Sequence, residues 1–191
     1  MKFFNLKTNQ IFSSFLSLIQ LNFSQINKEG KEISVKRQVL FRPRSVVFLT
    51  VVDPKNGKAL YVKQLRAGCI VDGFNVPCIE PIAGIIDEGE TPEEAAIREA
   101  KEEANIDISI SDLKLISECY LSPGISNEYA YFFQTFFDSE KYNIGSFGVE
   151  SENEVIESLI LTSQELDQML LNNQCFISAA TIISKQISQK Y

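Results

Sequence analysis

The stretch GIIDEGETPEEAAIREAKEEANI, residues 84–106, decides the fold and most of the chemistry of this chain. A glycine is followed after five residues by a glutamate, and after seven more by Arg-Glu-Ala, one further residue and Glu-Glu. Six matches at set spacings arise by chance on the order of 10⁻⁷ per start position, if each residue type is used about once in fifteen. The spacing therefore indicates a functional motif. Its defined positions are Gly84, Glu90, Arg98, Glu99, Glu102 and Glu103.

The motif contains the start of a predicted helix. Thr91 suits the N-cap, Pro92 suits the first helical position, and Glu94 completes a capping box. We expect the helix to run to about Ala104 and to end at Asn105, because asparagine tolerates a left-handed backbone. Alanines and an isoleucine at helical spacing predict a face that packs closely on the core.

Three carboxylates share one face of this predicted helix. Glu99 and Glu103 are four residues apart, and Glu102 is three residues from Glu99. Arg98 lies four residues from both Glu102 and Glu94 and is placed to pair with them. Taken alone, the face is typical of a solvated acidic surface. With the glycine-bracketed loop before it, the face predicts a site for a hard divalent cation, for which Mg²⁺ is the usual choice beside phosphates.

The whole motif resembles the Nudix box, GX5EX7REUXEEXGU with U aliphatic, the signature of hydrolases that cleave nucleoside diphosphates linked to another group. Asn105 replaces the last glycine of the box, and asparagine is the best substitute at a left-handed position. The resemblance implies an α/β fold, namely an α/β/α sandwich around a mixed sheet. It also implies Mg²⁺ as cofactor, with Mn²⁺ as a substitute.

Further segments resemble ADP-ribose pyrophosphatases within that family. These are VKQLR at 62–66, EPIAG at 80–84, the SPG that contains Pro123, and the acidic run GVESENE at 148–154. The implied reaction converts ADP-ribose into AMP and ribose 5-phosphate. Relatives that act on GDP-mannose or other sugar nucleotides share several of these segments, so such a substrate is the first alternative. A Nudix-fold sensor that binds without cleaving is the second, and the intact Arg98 and glutamates argue against it.

The same resemblance implies the metal ligands and the base. Glu99 and Glu103 would hold Mg²⁺ with the carbonyl of Ala83, and Glu154 would contribute from the acidic loop. Glu102 would be another ligand or would be oriented through Arg98. Because the chain has no histidine, carboxylates are the credible general bases. Glu152 is expected to take the proton from the attacking water, although the division of roles between Glu152 and Glu154 stays open.

Four residues are implied to contact the substrate. Arg37 and Arg66 would grip the diphosphate, because a guanidinium group suits two phosphate oxygens at once. Glu128 could hydrogen-bond a ribose. Phe15 could stack on adenine across a dimer interface, with a place in the core or in the interface alone as the alternative. The rivals of Arg37 are Lys36, Arg42 and Arg44.

The N-terminal part of the chain predicts an added hairpin. Alternating apolar and polar residues at 15–24, a turn at 28–30 and a second segment at 31–40 are typical of two paired strands. We expect residues 1–44 to form an extension used in dimerisation and substrate contact, and residues 45–191 to form the hydrolase domain. A signal peptide is the alternative, but serines interrupt its apolar run.

Composition restricts the remaining classes. A length of 191 residues suits a full hydrophobic core, and a net charge of −7 argues against a nucleic-acid partner. The N-terminal apolar segment is too short and too polar to cross a bilayer. The four cysteines show no paired spacing, so we expect buried, reduced thiols, which suit the cytoplasm. The family resemblance implies a homodimer that acts on a small-molecule nucleotide sugar.

Overall fold

The computed structural model describes residues 2–149 and 154–191 of the chain. Two compact units are present. The first comprises Met1–Ser45 and Cys119–Tyr129, and the second comprises Val46–Glu118 and Ala130–Tyr191. The domain boundary expected after residue 44 stays a prediction.

The first unit contains a three-stranded antiparallel sheet in the order β1-β2-β3. Its strands are β1 (Phe3–Ser13), β2 (Ser17–Ile26) and β3 (Glu32–Phe41). The expected hairpin is β2–β3, and its turn is closed by the side chain of Asn27, which accepts a hydrogen bond from Lys31 N at 2.9 Å. Strand β1 is additional to the predicted hairpin, because the sequence of the first residues suggests only a possible signal peptide.

The second unit is built on a mixed nine-stranded sheet. Strand β4 is central: it runs parallel to β9 and antiparallel to β5 and β7. The main path of the sheet is β10-β11-β5-β4-β9-β8, and β6 joins both β5 and β12. The strands are β4 (Val46–Asp53), β5 (Lys58–Gln64), β6 (Cys78–Glu80), β7 (Ile82–Ile85), β8 (Lys114–Tyr120), β9 (Tyr129–Phe136), β10 (Ser146–Phe147), β11 (Ile156–Thr162) and β12 (Phe176–Ile177).

Four α-helices accompany this sheet in the described part of the chain: α1 (Ala67–Val71), α2 (Pro92–Ala104), α3 (Ser163–Leu171) and α4 (Ala179–Ser188). The glycine-containing segment 66–76 is typical of a loop, but it contains α1. The sequence from Phe176 onward predicts one last helix, but this segment begins with β12. Among the described residues, no helix has both the length and the apolar character needed to cross a membrane.

The core lies on both faces of the sheet because neighbouring residues of a strand point to opposite sides. Leu60 and Val62 of β5 pack in the cluster that contains the alanines of α2, whereas Ala59 and Tyr61 pack with Leu166 of α3. Each fully buried leucine or valine of this kind contributes about 1.5–3 kcal/mol. Helices thus cover both faces of a mixed sheet, and the predicted α/β/α sandwich is confirmed.

A buried aspartate closes the turn between β4 and β5. Asp53 is 2% exposed, and its carboxylate accepts hydrogen bonds from Lys55 N at 3.0 Å and from Asn56 Nδ2 at 2.8 Å. It also accepts bonds from the backbone and the hydroxyl of Ser139. This one side chain therefore joins the β4–β5 turn to the segment that follows β9.

Candidate active site

The helix that carries the motif is positioned by its own ends. Thr91 Oγ1 accepts from Glu94 N at 3.2 Å, and Glu94 Oε2 accepts from Thr91 N at 2.8 Å, so the predicted capping box is present. Asn105 has φ 50° and ends the helix in the left-handed conformation. Ala96, Ala100 and other small residues are buried against the sheet, which brings the helix backbone close to β7 and β4.

Gly84 is placed where only a glycine fits. A Cβ atom built on this residue would lie 1.6 Å from Glu99 Oε1 and 1.9 Å from Glu99 Cδ. The carboxylate of Glu99 therefore occupies the space that any other side chain at position 84 would need. Gly84 and Glu99 of the motif therefore pack directly against each other.

Glu103 is attached to the strand next to Gly84. Its Oε2 accepts a hydrogen bond from Ala83 N at 2.9 Å, and the residue is 3% exposed. Glu99 is 9% exposed. Two carboxylates one helical turn apart are thus held at the same edge of the sheet, beside the backbone of β7.

Burial has a large effect on the charge of these two groups. It raises the pKa of Glu99 to about 7, although Arg98 acts in the opposite direction. Burial also raises the pKa of Glu103 well above its ordinary value; the Ala83 N–H opposes the rise and the neighbouring Glu99 adds to it. The carboxylate of Glu154 contributes to both shifts. This carboxylate cluster would gain stability from a bound cation.

Arg98 organises the outer side of the cluster. Its Nε donates to Glu90 Oε1 at 2.9 Å, and its Nη1 donates to Glu99 Oε1 at 2.7 Å and to Glu102 Oε2 at 2.9 Å. Its Nη2 donates to the carbonyl of Ile85 at 2.9 Å. The hydrogen bonds that Arg98 donates to Glu90 raise the pKa of the guanidinium group further above its ordinary value, although burial opposes this.

The expected pairing of Arg98 with Glu94 is wrong. The carboxylate of Glu94 is bound to Thr91 in the helix cap, and Glu90 replaces it because the loop before the helix folds back. Glu90, six positions after Gly84, thereby orients Arg98, which in turn holds Glu99.

The acidic loop returns to the C-terminal part of α2. Gly148 N donates to the carbonyl of Glu102 at 3.3 Å, and Gly148 has φ 112°. A Cβ at this glycine would lie 2.8 Å from Glu154 O, so the two ends of the loop are in close contact. Glu154 is placed near the carboxylates of α2, which is why it affects their pKa values. Glu152 lies outside the described residues.

A cavity of about 680 Å³ lies beside this loop. Arg66 lies on its wall, and the Arg66 guanidinium Nε donates to Glu80 Oε2 at 2.5 Å. Burial lowers the pKa of Arg66, but Glu80 more than offsets this and the net pKa is raised. The volume falls in the 300–1,000 Å³ range of small-molecule sites. The wall includes Lys63, Gln64, Leu65, Arg66, Ala67, Asn75, Pro77, Glu154, Val155 and Glu157.

The chemistry of the donor set suits a divalent cation. Glu99 and Glu103 are buried, repel one another and have raised pKa values. In residues 2–149 and 154–191, no three His, Cys, Asp or Glu side chains form a ready-made metal site. Mg²⁺ is commonly bound by one or two carboxylates, with water and substrate phosphates as further ligands. The two glutamates therefore fit the protein part of such a site.

Comparison with known proteins identifies the fold family. The profile described as NUDIX domain matches residues 42–175, which is more than half of the chain. The chain belongs to the Nudix family. The Nudix hydrolases generally use divalent metal ions, as the geometry at Glu99 and Glu103 indicates.

Among the curated relatives of this Nudix chain, some are named GDP-mannose pyrophosphatase and another is named ADP-ribose pyrophosphatase. GDP-mannose pyrophosphatase of Yersinia enterocolitica is 28% identical over 171 residues, covering 89% of this chain and 86% of the relative. GDP-mannose pyrophosphatase of Salmonella typhimurium is 32% identical over 155 residues, covering 80% and 78%. ADP-ribose pyrophosphatase of Haemophilus influenzae is 27% identical over 163 residues, covering 84% and 74%. The chain is therefore a Nudix pyrophosphatase of the sugar-nucleotide type.

Four of the predicted Nudix site residues lie in the first unit. Phe15 is 76% exposed in the turn between β1 and β2, so it is not a core residue. Arg42 lies over its ring at 5.8 Å and pairs with Glu128 Oε1 at 2.9 Å. Arg37 is exposed and donates to the carbonyl of its neighbour. Pro123 lies in the turn that follows β8. Contacts thus join Phe15 and Glu128 through Arg42, which was expected only as a rival of Arg37.

Two features of the Nudix site were missed in the sequence. Glu80 is 6% exposed on β6 and pairs with Arg66, a contact that its place in the segment EPIAG does not predict. Lys63 lines the cavity and pairs with Glu157 of β11. A glutamate in an otherwise apolar short strand was the available signal for Glu80, because a buried carboxylate needs a partner.

Proposed function

We propose that this Nudix hydrolase cleaves the diphosphate of ADP-ribose and releases AMP and ribose 5-phosphate. One observation supports it above the others: two buried carboxylates, Glu99 and Glu103, lie near a cavity of about 680 Å³ whose wall carries Arg66. The segment that contains Pro123 resembles the ADP-ribose group and is the reason for preferring this substrate.

Each step can be assigned to a group of this chain. Arg66, oriented by Glu80, would bind the phosphate oxygens. Glu99 and Glu103 would hold Mg²⁺, or Mn²⁺ in its place, with the Ala83 carbonyl and Glu154. When bound, the cation offsets the phosphate charge and lowers the pKa of water.

The proton transfer completes the reaction. Water would attack phosphorus as Glu152 takes its proton, and the bond from phosphorus to the bridging oxygen breaks. Arg98 would keep Glu99 and Glu102 oriented throughout, since it already contacts both. Because the chain has no histidine and the base would be a carboxylate, and because a bound cation would lower the pKa of water, activity should rise toward alkaline pH.

GDP-mannose is the second candidate substrate. The curated GDP-mannose pyrophosphatases reach 32% identity with this chain, against 27% for the ADP-ribose pyrophosphatase of Haemophilus influenzae. The metal site and the phosphate site would be the same for both substrates, and only the contacts to the base and the sugar would differ.

The test compares release of AMP or GMP and phosphosugar from ADP-ribose, GDP-mannose and UDP-glucose with Mg²⁺. Glu103→Gln should lower turnover by more than about 100-fold, beyond the 10–100-fold typical of groups that only support a metal ligand. Glu118→Gln, an exposed glutamate on β8, is the matched control. Preferred cleavage of GDP-mannose would reject the substrate assignment. Binding of nucleotide sugars without cleavage would reject catalysis and favour a sensor.

We also propose a cytoplasmic homodimer. The first unit carries large exposed apolar side chains, among them Phe3 and Phe12 of β1 at 63% and 60% exposure and Phe15 of the β1–β2 turn at 76%. Large apolar side chains exposed on this unit support an interaction surface there. The four cysteines are free, as in proteins of a reducing compartment. Light scattering on purified protein should give twice the chain mass, and a monomer mass at micromolar concentration would reject the dimer.

A further inference from the structure

Two cysteines are in contact next to residues of the cavity wall, because Cys78 follows Pro77 and Cys69 lies two residues after Ala67. Cys69 of α1 and Cys78 of β6 have their Sγ atoms 3.7 Å apart. A disulfide requires about 2.05 Å between the sulfur atoms, so the two side chains must approach by less than 2 Å. Spacing along the chain did not predict the pair, because the return of the segment from α1 to β6 brings the thiols together.

We propose that Cys69 and Cys78 form a reversible disulfide in the presence of a peroxide, and that this bond fixes the cavity wall next to Arg66. The four cysteines are otherwise expected to be plain reduced thiols. The pair would make the phosphate-binding wall sensitive to oxidation. The disulfide can form whatever the cavity binds. Its effect on substrate binding rests on the proposed function.

The two cysteines differ in how firmly they are held. Cys78 is buried and paired in register with Gln64 of β5 and Phe176 of β12. All five residues of α1 are at least partly exposed, and the following turn contains Gly73 with φ 81°. A short helix with little buried surface can shift by the distance required. Cys69 is thus the mobile partner and Cys78 the fixed one.

The order of the chemistry follows from accessibility. Cys69 is half-buried and can meet a peroxide. Burial, together with the hydrogen bond to Cys69, raises the pKa of the Cys78 thiol to about 12 and keeps it protonated at neutral pH. The Cys69 sulfur attacks one oxygen of hydrogen peroxide, the O–O bond breaks, the other oxygen leaves as water, and Cys69 becomes a sulfenic acid. The Cys78 sulfur then attacks the Cys69 sulfur, its proton passes to the sulfenic hydroxyl, the S–O bond breaks, and a second water leaves. In total, two thiols and one hydrogen peroxide become one disulfide and two waters.

The bond would act directly on the phosphate-binding arginine. Arg66 precedes Cys69 by three residues, Glu80 follows Cys78 by two, and the Arg66–Glu80 ion pair already joins the same two segments. A disulfide closes a second link beside this ion pair and restricts the turning of the guanidinium group toward substrate. We expect KM for the nucleotide sugar to rise about fivefold with little change in kcat, the effect of weakening one hydrogen bond.

The test uses the full chain, treated with hydrogen peroxide and then quenched. Titration of thiols after denaturation should fall from four to two, and the mass should fall by about 2 Da, with both changes reversed by dithiothreitol. Both cysteines lie on the tryptic peptide 67–98, so a second cleavage after Phe74 is needed to show the link. The Cys69→Ala variant should still have three titratable thiols after peroxide treatment. The Cys119→Ala variant should still form the Cys69–Cys78 disulfide.

Several results would overturn the proposal. These are a thiol count that stays at four, addition of oxygen to the cysteine sulfurs without a disulfide, or a disulfide that involves Cys119. Cys69 is on a partly exposed helix, so its alanine variant tests the bond even if Cys78→Ala fails to fold. The thiol measurement needs no substrate, and it remains decisive if no nucleotide sugar is cleaved. An equal KM for oxidised and reduced protein would reject the effect on the cavity wall while the proposed function stands.

Discussion

Raising the pH of the metal-free protein from about 5 to about 8 should destabilise it. The cause is the burial of Glu99, whose pKa is raised to about 7 from an ordinary value of 4.5. Because the folded state holds the proton more tightly than the unfolded state, the contribution of Glu99 to stability is full below pH 4.5 and is lost as the pH rises through 7. Glu103 is shifted in the same direction.

The size of the effect follows from the shift. A difference of 2.5 pKa units between 4.5 and 7 corresponds to about 3.4 kcal/mol at full ionisation. Part of the Glu99 contribution is already lost by pH 5, so about 2.5 kcal/mol remains to be lost between pH 5 and pH 8. Glu103 adds to this value. Few other groups change the free energy of unfolding between pH 5 and pH 8, because the chain has no histidine. The carboxyls with lowered pKa, such as Asp53 and Glu90, change stability only at lower pH.

The assay is urea unfolding in the presence of a chelator. Unfolding is monitored by far-UV circular dichroism because the chain has no tryptophan. The Glu99→Gln variant should have a much flatter pH dependence, since Arg98 Nη1 can still donate to the amide oxygen. The exposed Glu118→Gln should match the wild type. Saturating Mg²⁺ or Mn²⁺ should restore stability at pH 8. An equal slope in wild type and Glu99→Gln would refute the reasoning.

Three further predictions follow from single contacts. Gly84→Ala should lower turnover by more than about 100-fold while the fold is kept, because its Cβ would displace the Glu99 carboxylate; steady-state rates and circular dichroism test this. Arg98→Lys should lower the free energy of unfolding by about 2 kcal/mol, because one ammonium group cannot replace the guanidinium contacts; urea unfolding measures it. Asp53→Ala should cost about 2–3 kcal/mol in the same assay, because it leaves buried donors unpaired.

The first of these predictions has a control in the chain, and each of the three has a result that would contradict it. Gly68→Ala adds a Cβ that meets nothing within 4 Å and should leave turnover unchanged. Full activity in Gly84→Ala would contradict the close packing on Glu99. An Arg98→Lys variant as stable as wild type would show that the carboxylates do not depend on the guanidinium group. For Asp53→Ala, unchanged stability would mean that water replaces the lost carboxylate.

The local part of the site was predictable. Thr91, Glu94 and Asn105 have the expected roles at the two ends of α2, because helix ends depend on residues within one turn. The alternation of β2 and β3 and the apolar strand β4 were predictable for the same reason. The short helix α1 and the strand β12 were not, because five-residue and two-residue elements carry too little periodicity.

By itself, the sequence determined the Nudix box, its helix and the charge of the three carboxylates that share one helical face, since these depend on spacing and on local backbone preference. Only the tertiary structure decided that Glu99 fills the space beside Gly84, that Glu90 rather than Glu94 holds Arg98, and that Cys69 meets Cys78. Each of these contacts joins residues of different structural elements. Burial of the carboxylates, and with it their raised pKa values, arises only when the sheet packs against the helix.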